Sequence, residues 1–259
     1  MDKLLIFDFD GTLADTRELI VKTSQEAQRQ MHYPVCEPER IIATIGLPLR
    51  EGILTLYPQV RPEELEPWVT IYREVFDILK NRIVPALFPH VKETLSALCS
   101  QGYTCTIASS RGSASLHDFL RDMGIAPYIS YVISADDVTH GKPHPEPVLK
   151  TLQDLSVPAG RAMVIGDMPV DIQMGLGAGT LTCGVSYGNA DKAALEAAGA
   201  HHVIDDFGQL PAVLASCRWV LALRENSQKF VTGGSGPRGK DFERSPGDSG
   251  PGKAAGNGA

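Results

Sequence analysis

The chain has 259 residues, of which 43% are hydrophobic and 21% charged, and its formal net charge at pH 7 is −7. It is long enough to bury a substantial core in one large domain or two smaller ones. The mildly acidic balance, without a basic stripe, argues against a nucleic-acid partner, and no apolar run approaches the length of a membrane span. Met1-Asp2-Lys3 is followed by a run of only four apolar residues before Asp8, too short for a signal peptide, so we expect a soluble, cytoplasmic protein.

The first predicted element is a strand that begins at Leu4 and ends just before Asp8 and Asp10. An unbroken run of large apolar residues is typical of a strand buried on both faces. Gly11 supplies a turn after the strand, and the hydroxyl of Thr12 can bond the backbone of that turn. Burying two carboxylates at the end of a buried strand costs free energy unless a cation neutralises them. The stretch therefore predicts a ligand site where open α/β sheets bind their ligands.

Over residues 15–82, apolar residues recur at helical spacing, with no convincing strand between the helical segments. The first predicted helix follows an N-cap at Asp15 or Thr16. The next three span Glu39 to Ala43, Leu49 to Leu56, and a long segment that begins at Pro62. The aromatic stripe of the long segment is typical of packing. We interpret residues 15–82 as a small helical subdomain inserted directly after the first strand.

From Val91 onward, helices and strands alternate. The predicted helices are Val91 to Ser100, Ser115 to Met123, Glu146 to Leu155, Val170 to Leu176 and Ala190 to Ala198. The predicted strands are Tyr103 to Ala108, Tyr131 to Ser134, Ala162 to Ile165, Leu181 to Val185 and His202 to Ile204. Repeated βα units predict an α/β fold with a Rossmann-like, doubly wound parallel sheet, formed by residues 1–14 and 83–217.

The remaining residues carry weaker signals. After Cys217 the pattern fails, and residues 218–259, rich in Gly, Pro, Ser and charge, predict a disordered tail. Five scattered cysteines without CxxC spacing are expected to be small buried hydrophobic residues in a reducing compartment, neither ligands nor disulfide partners: Cys36, Cys99, Cys105, Cys183 and Cys217. His140 and His144 are interpreted as polar loop residues.

The chemistry-bearing residues follow predicted strands. Asp8 and Asp10, Ser109, Lys142, and Asp167 with Asp171 each come at or soon after the end of an apolar run, and in a parallel sheet these ends converge. The constellation suits phosphoryl transfer. Asp8 is the predicted nucleophile, and Mg²⁺ is the predicted cofactor because carboxylate and carbonyl oxygens are its preferred ligands.

Each remaining residue of this constellation has a predicted role. Asp8, the backbone carbonyl of Asp10, and Asp167 would ligate Mg²⁺, while Asp171 would orient these ligands or hold a metal-bound water. Ser109, with Ser110 and the amides that follow, would bind a phosphoryl oxygen. Lys142 would neutralise charge shared by the phosphoryl group and Asp8.

These motifs resemble those of the haloacid dehalogenase (HAD) superfamily. The resemblance covers residues 1 to about 215 and rests on Asp8-Phe9-Asp10-Gly11-Thr12, Ser109, Gly141-Lys142-Pro143 and Gly166-Asp167-Met168-Pro169-Val170-Asp171. The inserted helices match the small C1 cap of that superfamily. With Ile45 to Arg50, the motifs look most like the phosphoglycolate phosphatase and β-phosphoglucomutase branch. The resemblance implies the assignments above, and adds that Asp10 protonates the leaving alcohol and then deprotonates the hydrolytic water. It also makes Arg50 a candidate to bind a carboxylate or second phosphate of the substrate.

The expected function is therefore that of a Mg²⁺-dependent phosphatase acting on a small phosphorylated metabolite, either phosphoglycolate-like or a sugar phosphate monoester. A β-phosphoglucomutase-like phosphotransferase is disfavoured because Ile20 stands where such mutases carry a histidine. A phosphonoacetaldehyde hydrolase would need a cap lysine, for which Lys22 is the nearest candidate. A non-enzymatic phospho-acceptor or binding protein needs neither Asp10 nor a cap. The substrate itself and the oligomeric state are not predicted.

Overall fold

The computed structural model describes residues 3–217 and 219, and its strands and helices alternate along most of the chain. The strands of this part of the chain are β1 Lys3–Phe7, β2 Ala14–Asp15, β3 Ala86–Leu87, β4 Tyr103–Ala108, β5 Tyr131–Ile133, β6 Ala162–Gly166, β7 Leu181–Val185 and β8 His202–Ile204. The helices are α1 Arg17–Gln30, α2 Pro38–Ile42, α3 Leu49–Leu56, α4 Pro62–Leu79, α5 Val91–Ser100, α6 Ser113–Asp122, α7 Glu146–Asp154, α8 Pro169–Gly177, α9 Lys192–Ala197 and α10 Leu210–Ser216.

Six strands form one parallel sheet in the order β5-β4-β1-β6-β7-β8. The chain builds outward from β1 in one direction and then restarts beside β1 in the other, so the strand order reverses between β1 and β6. In doubly wound sheets a crevice opens at this reversal, outside the carboxyl ends of the strands. The predicted α/β fold with a Rossmann-like parallel sheet is confirmed.

Strand β1 is buried on both faces, as its apolar run predicts. Leu5 and Phe7 pack into the larger apolar cluster on one face of the sheet, and Leu4 and Ile6 pack into a second cluster on the other face. All four side chains are fully buried. Because β1 pairs with β4 on one side and β6 on the other, its carboxyl end is fixed from four directions.

Helices α1 to α4 follow β2 and have an apolar cluster of their own, centred on Trp68, Tyr57 and Ile41. The chain leaves and re-enters the sheet through β2 and β3, which pair antiparallel and were not predicted from the sequence. Two-residue strands carry too little periodicity to be recognised. The division into a core and a cap at residues 15 and 82 stays a prediction.

The remaining expectations differ in small ways from the structure. Helix α9 begins at Lys192, two residues later than predicted, because the Asp191 side chain accepts the Ala194 N–H at 2.8 Å and caps the helix there. All five cysteines lie in the described part of the chain as free thiols, and three of them are buried. The predicted tail falls outside the described residues, except for Trp219. Within the described ranges, no helix is both long and apolar enough to cross a membrane, and the cytoplasmic location stays a prediction.

Truncating a leucine side chain of β1 should lower the free energy of unfolding far more than truncating an exposed leucine. Leu5→Ala removes a fully buried side chain, and we expect it to lower the free energy of unfolding by about 2–5 kcal/mol. The matched control is Leu149→Ala on α7, whose side chain is 46% exposed, with an expected loss of less than about 1 kcal/mol. Urea unfolding monitored by circular dichroism measures both, and equal losses would contradict the placement of Leu5 in the core.

Candidate active site

Three neighbouring strands deliver polar side chains to the crevice at the reversal of strand order. Asp8 follows β1, Ser109 follows β4, and Asp167 follows β6. The Asp8 N–H donates to the Ile165 carbonyl at 2.8 Å, and the Ser109 N–H donates to the Ile133 carbonyl at 2.9 Å. Backbone bonds to neighbouring strands thus set the positions of Asp8 and Ser109.

The deepest feature of the crevice is a buried lysine bound by two carboxylates. Lys142, from the loop before α7, pairs with Asp8 Oδ1 and lies 2.8 Å from Asp171 Oδ1 on α8. Lys142, Asp8 and Asp171 are 1%, 3% and 0% exposed. Burial alone would lower the pKa of Lys142, but the carboxylates of Asp171 and Asp8 outweigh it and raise that pKa. The lysine is therefore held as a fully buried ammonium.

Asp167 completes an acidic cluster with Asp8 and Asp171, in which one carboxylate oxygen from each lies within 4.8 Å of the others. Thr12 donates its hydroxyl to Asp167 Oδ1 at 3.1 Å instead of bonding the backbone of its own turn. Asn189 donates to Asp167 Oδ2 through its backbone N–H at 2.7 Å and its side-chain amide at 2.8 Å. Asn189 was not predicted, although it lies four residues beyond β7, the next strand of the sheet.

Burial and mutual repulsion set the protonation of this cluster. Burial raises the pKa of Asp8 well above its ordinary value, against the opposing charge of Lys142. Burial and the neighbouring charge of Asp171 raise the pKa of Asp167 from 3.8 to about 7. Three buried carboxylates face one ammonium, so the cluster has a strong affinity for additional positive charge, whether protons or a cation.

The side chain of Asp10 has partners outside this cluster. Its Oδ1 accepts the Thr16 hydroxyl at 2.7 Å, and its two oxygens bind the guanidinium of Arg111, with Arg111 Nε 3.1 Å from Oδ2. Thr16 is the N-cap residue of α1, but its hydroxyl serves Asp10 and not the helix. The structure thus leaves the Asp10 carboxylate outside the group formed by Asp8, Asp167 and Asp171.

Arg111 was not predicted as a site residue. Its side chain is 7% exposed, and its guanidinium lies 4.9 Å from the ring centre of Phe119, 5.0 Å from that of Phe76 and 5.9 Å from that of Phe9. Phe76 belongs to α4, so this one side chain joins the crevice to the inserted helices. The sequence did contain one signal for Arg111, its position two residues after Ser109 at the end of a strand. The sequence could not show that its partner would be Asp10.

Ser109 and Ser110 have different partners. Ser109 is buried, and its Oγ accepts the Arg111 N–H at 3.2 Å, which closes the turn after β4. Ser110 donates its hydroxyl to the Gly46 carbonyl at 2.6 Å, in the segment between α2 and α3. Ser109 thus lies at the base of the crevice, whereas Ser110 ties that turn to the inserted helices.

A cavity of about 890 Å³ lies between the sheet edge and the inserted helices. Asp8, Asp10, Ser109, Ser110 and Lys142 line it from the sheet, and Arg50 and Ile20 are among the residues that line it from the helices. Arg50 is bound to Glu66, with Nη2 2.9 Å from Oε2, and is half exposed. Its predicted role in substrate binding stays a prediction. Lys22 is exposed on α1 and is not among the cavity's lining residues.

Comparison with known proteins places this site in a family. Residues 5–185 match the family model described as haloacid dehalogenase-like hydrolase. Among curated proteins, the probable phosphatase IndB of Dickeya dadantii is 36% identical over 216 residues, covering 81% of this chain and 92% of the relative. A phosphoglycolate phosphatase of Salmonella typhimurium is 31% identical over 235 residues, covering 81% and 93%.

Solved structures agree with this result. The crystal structure of a haloacid dehalogenase-like hydrolase from Bacteroides fragilis superposes with a TM-score of 0.77 at 30% identity, covering 81% of this chain and 100% of that protein. A hydrolase from Pseudomonas syringae superposes with a TM-score of 0.75 at 26% identity, covering 83% and 98%. The sequence and the fold therefore lead to the same group of proteins.

The acidic cluster should make the stability of the metal-free protein depend on pH. Between its ordinary pKa of 3.8 and its raised pKa of about 7, Asp167 binds more protons in the folded chain than in the unfolded chain. Stability in EDTA should therefore fall as the pH rises from about 4 to about 7, and Asp8 acts in the same direction. The predicted Mg²⁺ would compete with these protons, so adding it should raise the melting temperature more at about pH 7 than at about pH 5.

Differential scanning fluorimetry with and without Mg²⁺ measures this effect. The control is Asp167→Asn, which removes one buried charge and should flatten both the pH dependence and the response to Mg²⁺. An unaltered protein whose melting temperature responds to Mg²⁺ equally at both pH values would contradict the assignment.

Proposed function

The chain belongs to the haloacid dehalogenase-like hydrolase family, and we propose that this family phosphatase is Mg²⁺-dependent and hydrolyses a small phosphomonoester through an aspartyl-phosphate. One observation carries the proposal: Asp8 is buried at the switch point of the sheet, paired with the buried Lys142 and surrounded by Asp167 and Asp171. An anionic nucleophile that attacks an anionic phosphate needs positive charge beside it; Lys142 supplies one such charge, and the three carboxylates could hold a cation that supplies more.

Asp8 is the proposed nucleophile. Lys142 binds Oδ1, so we assign Oδ2 to the attack on phosphorus. In the first step the bond from phosphorus to Oδ2 forms and the bond from phosphorus to the leaving oxygen breaks. In the second step water attacks the phosphorus, phosphate leaves, and the Asp8 carboxylate is regenerated. The Lys142 ammonium, and Ser109 with the turn amides that follow it, would stabilise the phosphoryl oxygens during both steps.

The donor set fits Mg²⁺. All three clustered side chains offer carboxylate oxygens, the ligands that this hard cation prefers, and they carry more negative charge than Lys142 balances. Asp8, Asp167 and the backbone carbonyl of Asp10 would hold the ion, and Asp171 would help orient this set. When bound, Mg²⁺ would supply the remaining neutralisation of charge between Asp8 and the phosphate.

Asp10 is the proposed acid and base, and Arg111 controls where its carboxylate lies. Both Asp10 oxygens are occupied by Arg111, with Thr16 on one of them. Asp10 must therefore exchange at least one of these bonds to reach a leaving oxygen. Since Arg111 stacks on Phe76 of α4, movement of the inserted helices over a bound substrate offers a route to that exchange.

The names of the relatives and the size of the cavity support the proposed class of substrate, a small phosphorylated metabolite. Relatives named phosphoglycolate phosphatase and pyrophosphatase PpaX cover most of the chain, and a cavity of about 890 Å³ suits a small metabolite. A mutase remains disfavoured because Ile20 lines the cavity where a histidine is expected. A phosphonoacetaldehyde hydrolase is disfavoured because Lys22 is exposed, and a phospho-acceptor would need no cavity of this kind.

Asp8→Asn should abolish turnover. The amide cannot form the aspartyl-phosphate, so kcat with p-nitrophenyl phosphate and Mg²⁺ should fall by several orders of magnitude. The control is Asp122→Asn on α6, an exposed aspartate with 67% of its side chain accessible, which should keep full activity. A near-normal rate for a folded Asp8→Asn variant would show that the nucleophile is misassigned.

Asp10→Asn should slow dephosphorylation most strongly. A good leaving group such as p-nitrophenolate needs little protonation, so formation of the aspartyl-phosphate should suffer less with it than with an alkyl phosphate. Hydrolysis of the aspartyl-phosphate should remain slow with either substrate, because the variant lacks the base that deprotonates the attacking water. Rapid-quench measurements should show a burst of p-nitrophenolate, slow turnover and phosphate trapped on Asp8. Equal losses for both substrates without a trapped intermediate would mean that Asp10 is not the acid and base.

A further inference from the structure

A second group of metal-binding side chains lies on the outer side of the loop that carries Lys142. His140 Nδ1 lies 2.8 Å from Glu146 Oε2, and His144 Nδ1 lies 4.0 Å from the same oxygen. The two imidazole rings have centroids 4.7 Å apart. One ligand atom from each of the three residues lies within 4.8 Å of the others. From the sequence, His140 and His144 were interpreted as polar loop residues, because their spacing alone does not show that these side chains meet.

We propose that His140, His144 and Glu146 form a site for a borderline divalent metal ion such as Zn²⁺, separate from the acidic cluster. Two imidazoles and one carboxylate are the ligand set of many zinc sites that keep a fourth position open to water. Around a tetrahedral ion with bonds of about 2.0–2.1 Å, neighbouring ligand atoms lie about 3.3 Å apart. The observed separations of 2.8 and 4.0 Å bracket that value, so small side-chain rotations suffice.

The backbone prepares Glu146 for this role. Its Oε1 accepts the Thr139 N–H at 2.7 Å, and its Oε2 accepts the His140 N–H at 3.0 Å. The carboxylate is therefore held in place, as ligands with hydrogen-bonded support are in metal sites. His144 Nδ1 accepts the Glu146 N–H at 3.2 Å, a weak bond that metal binding would exchange for a stronger one.

The two sites differ in chemistry and in access. The acidic cluster is buried and contains only oxygen donors, which select Mg²⁺, whereas imidazole donors select Zn²⁺, Ni²⁺ or Co²⁺. The side chains of His140 and His144 are 64% and 49% exposed, so an ion can enter from solvent. The histidines stand two residues before and two residues after Lys142, so an ion bound to both would hold the ends of that loop together.

Titration with Zn²⁺ in excess Mg²⁺ tests the proposal. The double variant His140→Gln and His144→Gln should bind one Zn²⁺ fewer than the unaltered protein, or bind it at least about tenfold more weakly, since even loss of an outer-shell partner costs 10–100-fold. The matched control is His32→Gln with His117→Gln, two exposed histidines, one in the turn after α1 and one on α6. Isothermal titration calorimetry gives the stoichiometry and the Kd.

Two further measurements distinguish the sites. Co²⁺ bound to the unaltered protein should give visible absorption typical of nitrogen ligands, which should persist in Asp167→Asn and disappear in the histidine double variant. Melting curves in EDTA verify that both double variants fold. Equal Zn²⁺ stoichiometry and affinity in the unaltered protein and the His140/His144 variant would overturn the proposal, as would loss of the Co²⁺ signal only in Asp167→Asn.

Discussion

The site depends on the buried ion pairs of Lys142 with Asp8 and Asp171. These three side chains come from the loop before α7, the end of β1 and helix α8, and all are almost fully buried. Removing charges from water costs several kcal/mol per ion, and leaving one of them unpaired costs about 3–5 kcal/mol. The fold must therefore bring the three elements together with good geometry, and the parallel pairing of β1 with β6 contributes by placing Asp8 beside the start of α8. The same buried charges that destabilise the fold are the groups that phosphoryl transfer requires.

Arg111 provides the connection between this site and the inserted helices. Its guanidinium binds Asp10 and stacks among rings from the first motif, from α4 and from α6. The aromatic stripe of α4 was interpreted as packing, and Trp68 and Val69 do pack within the helical cluster. All three residues also line the cavity, and Phe76 in addition contacts the guanidinium of Arg111. One helix face thus serves both stability and the site.

The sequence predicted what depends on local pattern and on strand order. The strands Tyr103–Ala108 and Leu181–Val185 have the predicted bounds, and the convergence of parallel strand ends was enough to expect Asp8, Ser109 and Asp167 together. It could not predict partners chosen by loop conformation. The bond from Thr12 to Asp167 spans 155 residues, and that from Arg111 to Asp10 spans 101. Such pairs leave no periodicity, so they become visible only in three dimensions.

Close packing explains why mutually repelling carboxylates stay together. A Cβ atom added to Gly188 would lie 2.3 Å from the Cβ of Asp167, and one added to Gly166 would lie 2.2 Å from the Cβ of Asp171. Gly11, at φ +89°, brings the turn after β1 equally close to the Asp167 carboxylate. Because main chain lies against both side chains at these short distances, neither acid has room to move toward Gly188 or Gly166. Their repulsion is relieved by the positive charge of Lys142, and the proposed cation would relieve it further at a position that the backbone sets.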